Sequence, residues 1–361
     1  MSQADVLVVG GGILGMLSAR ELRLAGARVT LLERGQTGRE STWAGGGILS
    51  PLYPWRYAPA VTRLASWGQA RYPQLCAELT ESTGISPQWK PDGLLILDTE
   101  EQQQALDWAR RFERPLRLIE EHEISQLEPA LANPPEQALW LETIAQVRNP
   151  RMAKSLRAEL ARLGVDIREQ TPMQSLLLEG DRVTGVKTPT ADFHADQVLL
   201  CAGAWTGQLI DAALQQPPIR PVRGQMILFR AQPATLQRIC LFDGHYCIAR
   251  EDGRVLMGST LEEVGFDKST TATARAELQQ RALARFPCLA QAPIEHHWAG
   301  LRPGSPEGIP TISAHPQLQG LYINTGHYRN GVVLGLASAR LAADLLLGRE
   351  PILAAEDYVL N

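Results

Sequence analysis

Three glycines near the amino terminus have the spacing of a phosphate-binding turn. Gly10, Gly12 and Gly15 follow an apolar run at residues 5–9 and precede a helical pattern. In such a turn the first glycine makes the bend, the second lets the backbone approach a pyrophosphate, and the third packs the helix on the strand. The unpaired N–H groups and the positive dipole end at the start of the helix then favour an anion.

An acidic residue follows this turn at the distance expected for ribose binding. Glu33 ends a second apolar run at residues 29–32. A carboxylate about twenty residues beyond the glycines accepts hydrogen bonds from a ribose hydroxyl in dinucleotide-binding units. The strand, turn, helix, second strand and acid therefore predict a dinucleotide site, without distinguishing NAD from FAD.

Other chemistry-bearing residues give no sign of a metal site or a hydrolytic site. His296 and His297 are adjacent, and on a strand their side chains point to opposite faces, so they do not share one ion. The five cysteines lack CxxC or other metal-ligand spacing, and we expect reduced thiols. No Ser-His-Asp set or pair of carboxylates stands out. We expect no metal in the site.

The elements around the glycine turn indicate an interleaved two-domain protein. Helical patterns are predicted at residues 59–83, 151–163, 273–285 and 332–347, and further nucleotide-domain strands at 165–167, 173–178, 183–186, 196–201 and 320–325. Strand-like alternation at 93–97, 224–230, 246–250 and 254–258 predicts an antiparallel sheet in a substrate domain. The expected class is α/β plus α+β, with residues 1–85, 146–218 and 296–361 in the nucleotide domain and 86–145 and 219–295 in the substrate domain.

Composition excludes several classes of protein. The 361 residues are 44% hydrophobic and 20% charged, with a formal net charge of −4, which is ordinary for a globular protein and unlike a nucleic-acid binder. Apolar runs fall short of the ~18 residues of a membrane span. The amino terminus lacks the features of a secretory signal, so we expect a cytoplasmic protein. The oligomeric state stays open, and a homo-oligomer is compatible with the sequence.

The sequence resembles the D-amino-acid oxidase superfamily of FAD enzymes over essentially its full length, and within it the glycine oxidases of the thiazole-biosynthesis type. Four blocks carry the resemblance: residues 8–15 with Glu33 and Arg34; residues 41–51; residues 196–205; and residues 298–310 with 324–331. The pairing of Gly300-Leu301-Arg302-Pro303 with Gly326-His327-Tyr328-Arg329-Asn330-Gly331 is the most specific of these. The expected fold is therefore a Rossmann-type FAD-binding domain interleaved with an antiparallel-sheet substrate domain.

The resemblance implies a set of residues that hold FAD noncovalently. The segment 41–47 would pass along the flavin, and the turn at 326–331 would lie beside its pyrimidine edge, where the next helix offers N–H donors to the reduced flavin. The expected cofactor-binding residues are Gly10, Gly12, Ile13, Leu14, Gly15, Glu33, Arg34, Ser41, Thr42, Gly46, Gly47, Ile48, Met173, Gly203, Gly300, His327, Arg329, Asn330, Gly331 and Val332.

The resemblance also implies an amino acid site. Arg302, which we expect in a small-residue turn, matches the family's carboxylate-binding arginine, and a guanidinium donates two parallel hydrogen bonds to a carboxylate. Tyr246 would assist through its hydroxyl, and Arg329 would neutralise charge on the substrate or the flavin. His245 and Leu261 are expected to shape the cavity.

The implied reaction is oxidative deamination of a small amino acid. Hydride would leave Cα for flavin N5, molecular oxygen would reoxidise the flavin to give hydrogen peroxide, and the imine would become glyoxylate and ammonia or pass to thiazole synthesis in thiamine formation. Glycine, sarcosine and D-alanine all remain open as substrates. The alternatives are an FAD dehydrogenase of secondary amines or D-amino acids with a non-oxygen acceptor, an NAD-dependent dehydrogenase, and an inert flavin-binding subunit.

Overall fold

Two eight-stranded sheets form the framework of the protein. The computed structural model describes residues 4–360. The strands are β1 (Ala4–Val9), β2 (Val29–Leu32), β3 (Leu94–Ile96), β4 (Leu116–Glu120), β5 (Gln137–Leu141), β6 (Asp166–Arg168), β7 (Ser175–Glu179), β8 (Arg182–Lys187), β9 (Asp192–Leu200), β10 (Arg220–Arg230), β11 (Ile239–Phe242), β12 (His245–Ala249), β13 (Arg254–Gly258), β14 (Ile294–Gly304), β15 (Thr311–Ala314) and β16 (Leu321–Thr325).

The α-helices connect these strands or cover the sheets. They are α1 (Ile13–Leu24), α2 (Ser41–Ala44), α3 (Pro59–Thr83), α4 (Gln102–Arg111), α5 (Glu121–Leu127), α6 (Asn149–Arg162), α7 (Ala272–Arg285) and α8 (Gly331–Leu346). No helix that the structure describes has both the length and the apolar composition needed to cross a bilayer.

The first sheet is mainly parallel and carries the amino-terminal strand at its centre. Its order is β15-β16-β9-β1-β2-β6, and the β7–β8 hairpin joins it through β9. Strands β1 and β2 are almost entirely buried and apolar, as parallel strands covered on both faces usually are. Helices α1, α3, α6 and α8 pack together beside this sheet, and their buried apolar residues form the largest core cluster.

The second sheet is antiparallel except for the parallel pair β3–β11. Its order is β14-β10-β13-β12-β11-β3-β5-β4. Strands β10 and β14 are the longest and pair along almost their full length. Helix α7 packs on β10 and β13, and α4 packs beside β4. This arrangement confirms the predicted class, a Rossmann-type parallel sheet interleaved with a mainly antiparallel one.

The structure changes the expected placement of Arg302 and one expected domain boundary. Arg302, predicted to lie in a turn, belongs to β14, whose glycines and proline continue the pairing with β10. The glycine-rich segment 41–51 begins with the single helical turn α2. The predicted domain boundary at residue 296 would divide β14, although this strand pairs only within the second sheet. We therefore keep the domain division as a proposal and move that boundary to follow Gly304.

Candidate cofactor and substrate site

One cavity of about 420 Å³ is lined by residues of both sheets. Its wall combines the ends of β1, β2, β9 and β16 with parts of β10, β12 and β14. The carboxyl ends of parallel strands are the usual place for ligands in open α/β sheets. The site is thus built where the first sheet faces the second.

The amino terminus of α1 faces this cavity with free donors. The Ile13 N–H donates to Thr42 Oγ1 at 2.9 Å, whereas the N–H groups of Gly12 and Leu14 find no acceptor among residues 4–360. Both of these residues line the cavity. A helix start with unpaired N–H groups is a binding site for phosphate oxygens.

The acidic residue after β2 is held by the backbone. The Glu33 carboxylate accepts from the Gly11 N–H at 2.7 Å and from the Gly35 N–H at 2.8 Å. A carboxylate has about four lone-pair positions, so two remain for hydroxyl donors. Because Glu33 also lines the cavity, its position suits a ribose next to the phosphates.

Arg34 makes a cation–π contact with a tryptophan that is not among the residues predicted for the site. Its guanidinium lies 3.7 Å from the ring centroid of Trp205 and forms an ion pair with Glu40 at 3.0 Å. All three residues line the cavity. Their side chains form a polar and aromatic rim near the ribose end.

The segment after α1 and β2 is fixed to the second sheet by hydrogen bonds. The Ser41 hydroxyl donates to the Leu301 carbonyl at 2.6 Å, and the Trp298 indole N–H donates to the Ala44 carbonyl at 3.1 Å. The side chain of Asn149, at the start of α6, donates to the Thr42 carbonyl at 2.9 Å. These bonds hold residues 41–44 along the cavity.

The turn before α8 forms the opposite wall. Buried His327 shares a hydrogen bond with Ser338 Oγ at 2.9 Å, and burial lowers the pKa of this imidazole to about 3, which keeps it neutral. The Tyr328 N–H donates to the Pro303 carbonyl at 2.9 Å. The N–H groups of Gly331 and Val332 have no acceptor in the described part of the chain. The helix therefore presents a second set of donors suited to negative charge.

Arg302 lies flat against the neighbouring strand. Its guanidinium donates to Ser259 Oγ at 2.6 Å and to the Thr260 carbonyl at 3.1 Å, and it occupies the space that a β-carbon at residue 224 would need. Burial lowers the pKa of Arg302, and the nearby charge of Arg329 acts in the same direction. A bound anion would stabilise the charged form of a guanidinium placed in this way.

Neither of the two arginines has an anionic partner in the protein. No carboxylate between residues 4 and 360 lies within ion-pair distance of Arg302 or Arg329. Nη2 of Arg329 is buried without a hydrogen-bond partner. Because charges withdrawn from water are normally paired, the two half-buried guanidinium groups mark a binding place for a carboxylate or another anion.

Tyr246 completes this end of the cavity. The ring fits against Gly46 and Gly258, where an added β-carbon would come within 3.1 Å of it. The polar contact of its hydroxyl is a weak one, to Met226 Sδ at 3.9 Å. The hydroxyl is thus available to a ligand beside Arg302.

Most of the residues predicted from sequence meet at this cavity. Those that line it are Gly10, Gly12, Ile13, Leu14, Glu33, Arg34, Ser41, Thr42, Gly46, Gly47, Ile48, Met173, Gly203, Tyr246, Gly300, Arg302, His327, Arg329, Gly331 and Val332. Gly15 and Asn330 lie behind this lining, the former packed on the Gly10 carbonyl. Their roles at the site remain predictions.

The prediction that His245 and Leu261 shape the cavity is wrong. His245 turns its ring to the Asp243 carbonyl at 2.7 Å, and Leu261 is 50% exposed. Sequence reasoning also misses Gly224, Met226 and Trp205, which line the cavity. Gly224 and Met226 lie on the alternating strand β10, where the pattern indicates a sheet but not which residues face a ligand.

Comparison with known proteins agrees with this geometry. Residues 5–345 match the model of the FAD dependent oxidoreductase family. The chain is 50% identical to a glycine oxidase of Pseudomonas aeruginosa over 98% of this chain and 97% of that protein. It is 30% identical to the bifunctional protein ThiO/ThiG of Trichormus variabilis over 98% of this chain and 54% of that protein. The structure superposes on the glycine oxidase of Geobacillus kaustophilus with a TM-score of 0.93, 28% identity and coverage of 100% and 99% of the two chains.

The donors of the cavity fit the cofactor that this family uses. Free N–H groups at α1 suit a diphosphate, the Glu33 carboxylate suits a ribose, and the start of α8 suits the electron-rich edge of a flavin. Since the family match covers almost the whole chain and the cavity offers these groups in the required order, this protein belongs to the FAD-dependent oxidoreductases.

Proposed function

We propose that this protein is a glycine oxidase, which converts glycine, oxygen and water to glyoxylate, ammonia and hydrogen peroxide. The proposal is supported by 50% identity to the Pseudomonas aeruginosa glycine oxidase over nearly the full length of both chains. FAD is the cofactor, as in the family to which the chain belongs. The fold is that of the glycine oxidase from Geobacillus kaustophilus.

The observation that carries the proposal is the pair of half-buried guanidinium groups without a carboxylate partner. Arg302 and Arg329 line the same cavity as the helix starts that suit FAD. An amino acid brings the missing carboxylate, and a bidentate pair with Arg302 would fix its orientation. An amine substrate without a carboxylate would leave both charges uncompensated.

In this proposal, different residues bind different parts of FAD. Gly12, Ile13 and Leu14 would hold the diphosphate, Glu33 the ribose, and Gly46, Gly47 and Ile48 the flavin face, while the start of α8 would contact its pyrimidine edge. Bound FAD supplies a two-electron acceptor for hydride from the substrate Cα. The protein's part is to place Cα against it and to exclude water.

The substrate end favours a small side chain. Arg302 would hold the carboxylate, Tyr246 would donate its hydroxyl to the same group, and Arg329 would balance the remaining negative charge. Met226, whose sulfur lies 3.9 Å from the Tyr246 hydroxyl, lines the same cavity. We propose glycine as the main substrate and sarcosine and D-alanine as slower ones, because one methyl group changes binding by only about 1–3 kcal/mol.

The proposed setting is the cytoplasm, with the imine product available to thiazole synthesis. All five cysteines are free thiols, including Cys240 and Cys247, which face each other on paired strands. Reduced neighbouring thiols suit a reducing compartment. A role in thiazole formation is supported by the likeness to the protein named ThiO/ThiG.

Anaerobic reduction of the flavin tests the proposal. Glycine added to the purified yellow protein without oxygen should bleach the flavin absorption, and admission of air should restore it with release of one hydrogen peroxide per flavin. An Arg302→Ala variant should retain FAD, whereas its kcat/KM for glycine should fall at least ~10²-fold through loss of charge-assisted hydrogen bonds. Arg302→Lys should recover only part of the rate, since an ammonium lacks the planar fork.

The following results would contradict parts of the proposal. Bleaching that air does not reverse would favour a dehydrogenase with another electron acceptor. Bleaching only by amines without a carboxylate, or undiminished glycine oxidation in Arg302→Ala, would remove the proposed anchor.

A further inference from the structure

Arg250 is a buried arginine just outside the cavity that the reaction itself does not require. It follows β12 directly and is 8% exposed. Its guanidinium donates to the Gly46 carbonyl at 2.6 Å and to the Val147 carbonyl at 3.1 Å. It therefore contacts the flavin-side segment from behind, without lining the cavity.

A chain of polar side chains fixes this guanidinium. The Gln146 amide nitrogen donates to the Asp92 carboxylate and to the Ala249 carbonyl at 2.8 Å, and its oxygen accepts from Arg250. Lys90 forms an ion pair with Asp92 at 2.6 Å. Because both the nitrogen and the oxygen of the Gln146 amide are hydrogen-bonded, the amide has one orientation, and it holds the Arg250 guanidinium in one orientation as well.

The peptide between Gly46 and Gly47 links this network to the cavity. In a planar trans peptide the carbonyl and the following N–H point in opposite directions. The Gly46 carbonyl points to Arg250, so the Gly47 N–H points away from it, and this donor meets no protein acceptor in the described chain. Both glycines line the cavity. An N–H donor is thus directed toward the space assigned above to the flavin.

We propose that Arg250 is a positioning residue, which turns the Gly46–Gly47 peptide so that the Gly47 N–H is presented to the flavin. Burial lowers the pKa of Arg250 to about 10, so keeping this charge inside costs free energy, and its bonds to two backbone carbonyls offset the cost. A donor held in place before binding stabilises negative charge on reduced flavin without further reorganisation.

Three variants of the FAD-loaded protein test this proposal. Arg250→Met removes all the bonds, and Arg250→Lys keeps a charge that cannot span the three acceptors. Arg254→Met is the matched control, because Arg254 on the adjacent strand pairs with Glu295 and Asp252, which do not line the cavity. For each protein, the flavin absorption spectrum, the reduction potential and the dissociation constant for FAD are measured.

We expect Arg250→Met to bind FAD ~10-fold more weakly, to shift the visible flavin bands and to have a more negative reduction potential, with Arg250→Lys intermediate. Arg254→Met should match the wild type in all three. If Arg250→Lys has the wild-type spectrum, potential and FAD affinity, the proposal is wrong, whether or not Arg250→Met folds. The inference rests on the proposed course of FAD along residues 46–48, and because its readouts use the flavin alone, a failure of glycine as substrate would be seen separately.

Discussion

The position of the proposed substrate-binding guanidinium depends on a residue without a side chain. Arg302 and Gly224 lie on paired strands, and the guanidinium rests where a β-carbon of residue 224 would stand. We predict that Gly224→Ala displaces the guanidinium from Ser259 and Thr260. The KM for glycine should rise about 10-fold or more, since part of a charge-assisted interaction is lost. Steady-state kinetics with flavin content measured by absorbance checks this.

A second glycine variant separates this effect from that of an added methyl group in general. Gly207→Ala places the same methyl where the nearest atom is Gln216 Oε1 at 3.4 Å. It should leave KM and flavin content unchanged. Equal KM values in Gly224→Ala and wild type would show that Arg302 does not need this space.

At the scale of an element, the glycines at the start of α1 are required for different reasons. A β-carbon at Gly12 would have Thr42 Oγ1 at 3.4 Å as its nearest neighbour, whereas one at Gly15 would overlap the Gly10 carbonyl oxygen. We predict that Gly12→Val loses FAD, because its side chain enters the proposed diphosphate space, and that its thermal stability stays near that of the wild-type apoprotein. Gly15→Val should instead lower the melting temperature of the apoprotein. Thermal unfolding and flavin content measure both, and normal FAD content in Gly12→Val would contradict the assignment.

Local patterns allow some elements to be predicted and hide others. The glycine turn, Glu33 and α3 follow from spacing along the chain, and the structure has α3 at the predicted residues. Helix α4 is hidden in the sequence because only Ala105 and Ala109 are buried on it, so no stripe of large apolar residues marks its inner face.

Contacts between distant segments explain what the sequence does not reveal about the site. Arg302 belongs to a strand that contains glycine and proline, which are normally depleted in strands. Its neighbours from residues 224 and 259–260 come together only through the pairing of β10 with β13 and β14. The same holds for Arg250, whose partners lie about 100 or more residues away. The periodicity of apolar residues does not reveal contacts between segments that are so far apart in the sequence.

For the whole molecule, a buried imidazole links stability to pH. The pKa of His327 falls from 6.5 to about 3 on folding because its ring is buried. Between these values the unfolded chain binds a proton that the folded protein does not, so stability is complete above pH 6.5 and decreases as the pH falls. From pH 7 to pH 5 this one group should remove about 2 kcal/mol from the free energy of unfolding.

Denaturant unfolding at the two pH values measures the effect. His327→Gln is the comparison, because its amide can still bond to Ser338 but does not titrate. The variant should lose less stability than the wild type on acidification. An equal loss in both proteins would assign the pH dependence to other groups.

The order of strands in the first sheet has a consequence for protein synthesis. Strand β1 leaves the ribosome before the other strands of its sheet, yet its neighbour β9 begins at residue 192 and the next strand, β16, at residue 321. The helix α8, whose start lines the cavity, follows later still. Domains that are continuous in sequence can fold while the rest of the chain is being made. Here the nascent chain has only fragments of the flavin site until α8 has been made, so complete binding of FAD requires the synthesis of this helix.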